Sequence, residues 1–144
     1  MHVQAILGNK GSKVVTVRPQ ATILDACRLL AEHRIGAVPV VDEDGRVAGI
    51  FSERDSVRAV AQQGSRALDL PLTEVMTRNV LTCKPEDSLD DLMGVMTTRR
   101  VRHLPVIEAG KLIGIVSIGD VVKHRLDQAA LEVDSLREYV LAGR

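Results

Sequence analysis

A chain of 144 residues allows about one domain. Lys+Arg and Asp+Glu balance at 19 each, so no global field draws it to nucleic acid or a membrane surface. One Phe, one Tyr and no Trp leave no aromatic platform for stacking bases, and no apolar run reaches the ~20 residues of a membrane helix.

Residues 1–13 form an N-terminal segment without the basic-then-apolar layout of a secretory leader. A first unit, 14–64, opens with a predicted strand at Val14–Val17. After Pro19, the spacing of Ile23, Ala26, Cys27 and Leu30 marks one helical face. Ala37–Val41 and Val47–Phe51 are apolar strands around the turn residues Asp42-Glu43-Asp44-Gly45. A second helix, starting near Ser52, carries Val57 and Val60.

The connector, 65–79, holds Pro71 and a short helical turn at Thr73–Met76. The second unit, 80–127, repeats the order. It has a strand at Val80–Cys83, a helix from about Leu89 to Thr97, and strands His103–Ile107 and Leu112–Val116 around the turn Glu108-Ala109-Gly110. Pro19 returns as Pro85 and Pro39 as Pro105, an offset of 66, whereas Gly49 returns as Gly114, an offset of 65. The hairpin turn therefore loses one residue in the second copy. A unit of ~60 residues buries too little surface to stand alone, so the two copies are expected to share one core.

Residues 128–144 extend the last helix. Val122, Leu126, Ala129, Val133, Leu136 and Val140 alternate in steps of four and three, an a/d seam over two and a half heptads. Such a seam packs either on its own domain or on the mate in a dimer.

Each unit places a Ser-x-x-Asp directly after an apolar strand: Ser52/Asp55 and Ser117/Asp120. This spacing is that of a capping box, which Thr22/Asp25 and Ser88/Asp91 also have. A strand-to-helix junction also offers free amides and a positive dipole end to an anion, so both readings stay open.

The doubled pattern of apolar-Pro-Val-apolar, then Gly-Ile-apolar-Ser-x-x-Asp, resembles the cystathionine-β-synthase (CBS) domain family. The two copies are similar to a tandem CBS pair, or Bateman module, of the small stand-alone type. The resemblance implies an α+β fold, with two βαββα repeats about a pseudo-twofold axis and an extended C-terminal helix. It also implies an adenine nucleotide in clefts between the repeats, most often AMP or ATP across the family, with S-adenosylmethionine or NAD(H) in some members. AMP is the expected ligand here, with ADP, ATP, NAD(H) and S-adenosylmethionine as the other candidates. By the same resemblance, Asp55 and Asp120 hold ribose hydroxyls, and Ser52 and Ser117 meet phosphate. Val38 and Leu104 line the adenine slot, Thr16 and Thr82 sit near the base, and Ile118 and Gly119 belong to the second cleft.

The copies differ at Arg99-Arg100-Val101-Arg102-His103 against His33-Arg34-Ile35-Gly36-Ala37. Arginine matches phosphate oxygens in a bidentate way, so Arg102 and His103 are expected at phosphate. Arg99 and Arg100 fit a solvated turn equally well. Arg54 partly compensates in the first cleft, and the Asp120 cleft is expected to be the tighter.

Other motifs carry less. Gly114-x4-Gly119 lacks the Lys-Ser/Thr of a phosphate loop. Cys27 and Cys83 have no metal spacing; Cys27 reads as a small core residue, and Lys84 beside Cys83 hints at a lowered thiol pKa. His124 reads as a surface residue, and Asp90-Asp91 as first-turn acids. No nucleophile–base–orienter set is visible, so the chain reads as a non-catalytic nucleotide sensor. The expected setting is cytoplasmic, as a homodimer with an unknown regulated protein and without nucleic acid, membrane, metal or catalytic cofactor. The alternative is a ligand-free dimeric scaffold.

Overall fold

The structure, a computed structural model, describes residues 1–10 and 13–143. Helix α1 (Val3–Lys10) precedes the first repeat, which comprises α2 (Ile23–His33), β1 (Ala37–Val41), β2 (Val47–Ser52) and α3 (Glu53–Gln63). Two 3-10 turns, Gly64–Asp69 and Leu72–Glu74, lie in the connector. The second repeat comprises α4 (Leu89–Arg99), β3 (His103–Glu108), β4 (Lys111–Ser117) and α5 (Ile118–Ala142). This is the mixed α+β architecture the sequence led us to expect.

Capping sets the helix starts. Thr22, Ser52 and Ser117 each accept from the amide three residues on, and the acid there accepts from the capping residue's own amide. Ser88 accepts from the Asp91 amide at 3.1 Å. Helices α2 and α4 end on Arg34 and Arg100, both in the left-handed region with φ of 54° and 55°. Glycine adopts that conformation with less strain than arginine.

Strands β1 and β2 pair antiparallel, as do β3 and β4. Val41 pairs with Val47, and Ile107 with Leu112, so the second turn is the shorter by one residue. The expected opening strands at Val14–Val17 and Val80–Cys83 do not form. Each shrinks to one parallel bridge, Val17 to Val40 and Cys83 to Val106.

Proline explains this correction. The Val17 amide donates to the Pro39 carbonyl at 3.1 Å, and the Val41 amide to the Val17 carbonyl at 2.8 Å. The next rungs of such a ladder need an N–H from Pro39 on one side and from Pro19 on the other, and neither has one. Pro105 and Pro85 cut the ladder in the same way around Cys83, whose two bonds measure 2.9 and 2.8 Å.

The shared core was also an incorrect expectation. Among the described residues there are two apolar clusters, one per repeat, and each is completed by a segment lying N-terminal to or after its repeat. Ala67, Leu72 and Met76 of the connector join Val17, Ile23, Val38, Val40 and Phe51. Val3 and Ile6 of α1 join Leu89, Leu92, Leu104, Val106, Val116 and Val121. The docking bonds match: Ile23 donates to the Leu70 carbonyl and Leu72 to that of Ala21, while Leu89 donates to Met1 and Val3 to Asp87. Helix α1 thus fills the second repeat as the connector fills the first. Conversely, Val57 and Val60 of α3 lie exposed, and Ala59 faces the core.

Equivalent glycines lie under both fillers. A Cβ at Gly49 would stand 2.8 Å from the Met76 sulfur and 2.8 Å from the Thr77 carbonyl oxygen, which is backbone. A Cβ at Gly114 would meet the Leu7 side chain, one methyl closest, which can rotate away. Gly49→Ala should therefore cost about 1–3 kcal/mol, and Gly114→Ala under about 1. Urea denaturation of the two variants checks this; equal losses would contradict it.

Candidate site between the repeats

The junction of β2 with α3 is built by local bonds. Asp55 is 5% exposed, and its carboxylate accepts from the Ser52 amide at 2.9 Å and the Ser52 hydroxyl at 3.1 Å. Arg58 reaches its other oxygen at 3.5 Å. The capping reading of this motif therefore holds. It does not close the groove, because the junction opens on a cavity of about 220 Å³.

Both repeats line that cavity. The first supplies Gly36, Ala37, Ile50, Ser52, Glu53, Arg54 and Asp55, the connector Thr77, and the second Arg100, Val101, Arg102 and His103. The repeats touch where Gly36 meets His103: a Cβ on Gly36 would lie 3.4 Å from the imidazole Cε1. Thr77 is held at the rim by two bonds to Ile50, each 2.9 Å. Three arginines and a histidine thus line the same cavity as two acidic residues, one of which is already engaged by its own cap.

Of the expected site residues, Ser52, Arg54, Asp55, Arg102 and His103 come together here. The others do not line this cavity. Val38 and Leu104 are fully buried in the two cores, because strand alternation turns them inward while Ala37 faces the cleft. Thr16 lies in a separate hollow with Val14, Val41, Gly45, Leu112 and Ile113, and Thr82 in another with Lys84, Glu86 and Asp87. Both threonines sit toward the hairpin-turn ends of their repeats. Ser117 and Asp120 form their own capping box, with the Ser117 amide 2.9 Å from the carboxylate. Ile118 and Gly119 are exposed.

The pairing of basic residues with acids also differs from expectation. Arg100, Arg102 and His103 line the cavity of Asp55 rather than one around Asp120, because the second repeat presents its β3 start to the first repeat's α3 start. Thr77, Glu53, Gly36, Ala37, Ile50 and Val101 were not foreseen. Thr77 enters only through its pairing with β2, for which no repeat or motif gave a signal.

Neither thiol is an activated nucleophile. Burial pushes Cys83 up to about 12, and the nearby Asp87 adds to the rise, so the hint from Lys84 is overturned. Burial also raises Cys27, partly offset by a hydrogen bond with Ser56. His124 is partly exposed on α5, and Asp90 forms an ion pair with Arg125 of that helix. Among the described residues no cluster of three or more His, Cys, Asp or Glu could hold a metal, and no helix is long and apolar enough to cross a membrane.

The family model described as CBS domain matches residues 10–61 and 72–127. A CBS-domain containing protein from Agrobacterium tumefaciens is 51% identical, with a TM-score of 0.83, covering 86% of this chain and 92% of that one. A CBS domain protein from Pyrobaculum aerophilum, complexed with AMP, is 28% identical with a TM-score of 0.75, over 83% of this chain and 89% of that one. Another CBS domain pair, in complex with 5′-methylthioadenosine and S-adenosyl-L-methionine, is 27% identical with a TM-score of 0.80, over 89% and 98%. With two matched segments, two like-built repeats and these neighbours, the chain belongs to the CBS domain family, as a tandem pair.

Proposed function

We propose that this CBS pair is a ligand-binding regulatory module, without turnover, whose ligand is an adenosine compound with AMP as the first choice. One observation carries the reading: a Ser-x-x-Asp junction of one repeat and a basic cluster of the other share a single open cavity. The AMP and S-adenosyl-L-methionine complexes of related pairs support the ligand class. In this reading Asp55 accepts from the ribose diol through the oxygen that its cap does not use, which the ligand shares with or takes from the exposed Arg58. Arg100, Arg102 and His103 meet the phosphate across the repeat boundary, and Thr77 takes the position by the base that the sequence had assigned to Thr16.

A ligand bridging both repeats favours the arrangement that it fits, and that differential affinity is the regulatory signal. The reading includes a homodimer, a cytoplasmic setting and a regulated protein as recipient. Asp120 remains the ribose acceptor of a second, weaker site.

A thermal-shift series of adenosine, AMP, ADP, ATP, NAD(H) and S-adenosylmethionine tests it. A ligand at 100 times its Kd adds about 2.7 kcal/mol, a rise of roughly 5–10 °C for a domain of this size. Arg102 is exposed, so Arg102→Ala should leave the unliganded Tm within about 2 °C. It should weaken AMP about tenfold or more and adenosine hardly at all. No shift with any compound would favour the ligand-free scaffold.

A further inference from the structure

Helix α5 runs 25 residues, and beyond Gln128 every described residue of it is exposed. Its first turns rest on the second repeat through buried Val121, with His124, Arg125 and Gln128 half-buried on the same side. At 3.6 residues per turn, the Val122–Val140 seam lies roughly a quarter turn from that side. The helix therefore does not fold back on its own domain. Leu126 is 65% exposed, Val133 49%, Leu136 63% and Val140 51%.

We propose that this seam pairs in parallel and in register with α5 of a second copy. The inference deepens the homodimer reading and is independent of the ligand. Leu126, Val133 and Val140 occupy a positions, with Ala129 and Leu136 at d. Two β-branched a residues over a d leucine favour two parallel strands.

Charge selects the direction. In a parallel pair, Glu132 at g faces Arg137 at e of the mate, twice by symmetry. In the antiparallel pair with full overlap, Glu132 would face Glu132 of the mate and Lys123 would face Arg137. Arg125, the other charged g residue, is occupied by Asp90 of α4. A seam this short buries less than the ~800 Å² per partner of a standard interface, so micromolar affinity is expected.

Sedimentation of the full chain at tens to hundreds of micromolar should show a dimer. Leu136→Glu should raise the dissociation constant at least tenfold, with an unchanged thermal transition at protein concentrations below the wild-type dissociation constant. Glu132→Arg should weaken the dimer several-fold, and adding Arg137→Glu should restore it. Val140→Cys should cross-link to itself on mild oxidation; wild type, with its buried Cys83 and half-buried Cys27, is the background. A monomer throughout the range overturns both the homodimer and the seam. A dimer that survives Leu136→Glu, or that is not cross-linked through Val140→Cys, overturns the parallel seam and leaves the homodimer standing.

Discussion

Asp55→Ala should weaken the binding of AMP by roughly 10–100-fold and at the same time destabilise the unliganded protein. The two losses have separate causes. Asp55 is nearly buried and accepts from both the amide and the hydroxyl of Ser52. Removing it breaks the reciprocal half of the α3 capping box, although Ser52 can still accept from the residue-55 amide, and leaves the part-buried Ser52 amide without its acceptor, a loss of about 1–3 kcal/mol. The ligand loss comes from the charge-assisted bonds that the oxygen now shared with Arg58 makes to a ribose diol, ~1.5–3 kcal/mol.

Asp55→Asn separates them, because it keeps an acceptor for the cap but removes the charge. Calorimetric Kd values for AMP and the unliganded Tm of both variants provide the check. If Asp55→Ala lowers the Tm but leaves Kd unchanged, capping alone explains the motif. Asp120→Ala should cost similar stability, since it forms the same box, but should have less effect on AMP. The basic cluster faces Asp55, which is why the first cleft, not the second, is now the one proposed as tighter.

Ile6→Ala should destabilise the protein by about 2–4 kcal/mol, although position 6 lies outside both repeats in the sequence. Ile6 is 2% exposed and packs with Val3 into the second repeat's core. Truncating it leaves a cavity under β4 that α1 cannot close, because Val3 and Gln4 tie the helix start to the Asp87 and Pro85 carbonyls. For a domain of this size the Tm should fall by roughly 6–14 °C. Val57→Ala, at a position 69% exposed, should stay within about 0.5 kcal/mol. If the two variants melt together, α1 does not belong to that core.

The duplicated elements were legible because their signals are local. Apolar spacing around Ile23, Ala26 and Leu30, the turn residues before Val47 and the four Ser/Thr-x-x-Asp motifs each act within a few residues of chain. All four Ser/Thr residues cap their helices, three of them with the reciprocal bond from the acid. The prolines that cut the opening strands were equally present in the sequence. Their effect was missed because it depends on which amide faces Val17 or Cys83, a matter of strand pairing.

The repeat, with its junctions, was thus determined by the amino-acid order alone, since capping and strand propensity need no distant partner. Which acid shares a cavity with which arginines was decided only by the tertiary structure. So were the filling of the second core by α1 and the arrival of Thr77 at the cleft. All three depend on how one repeat docks against another segment, and pairing across 27 residues (Ile50 to Thr77) or more leaves no periodic trace in sequence.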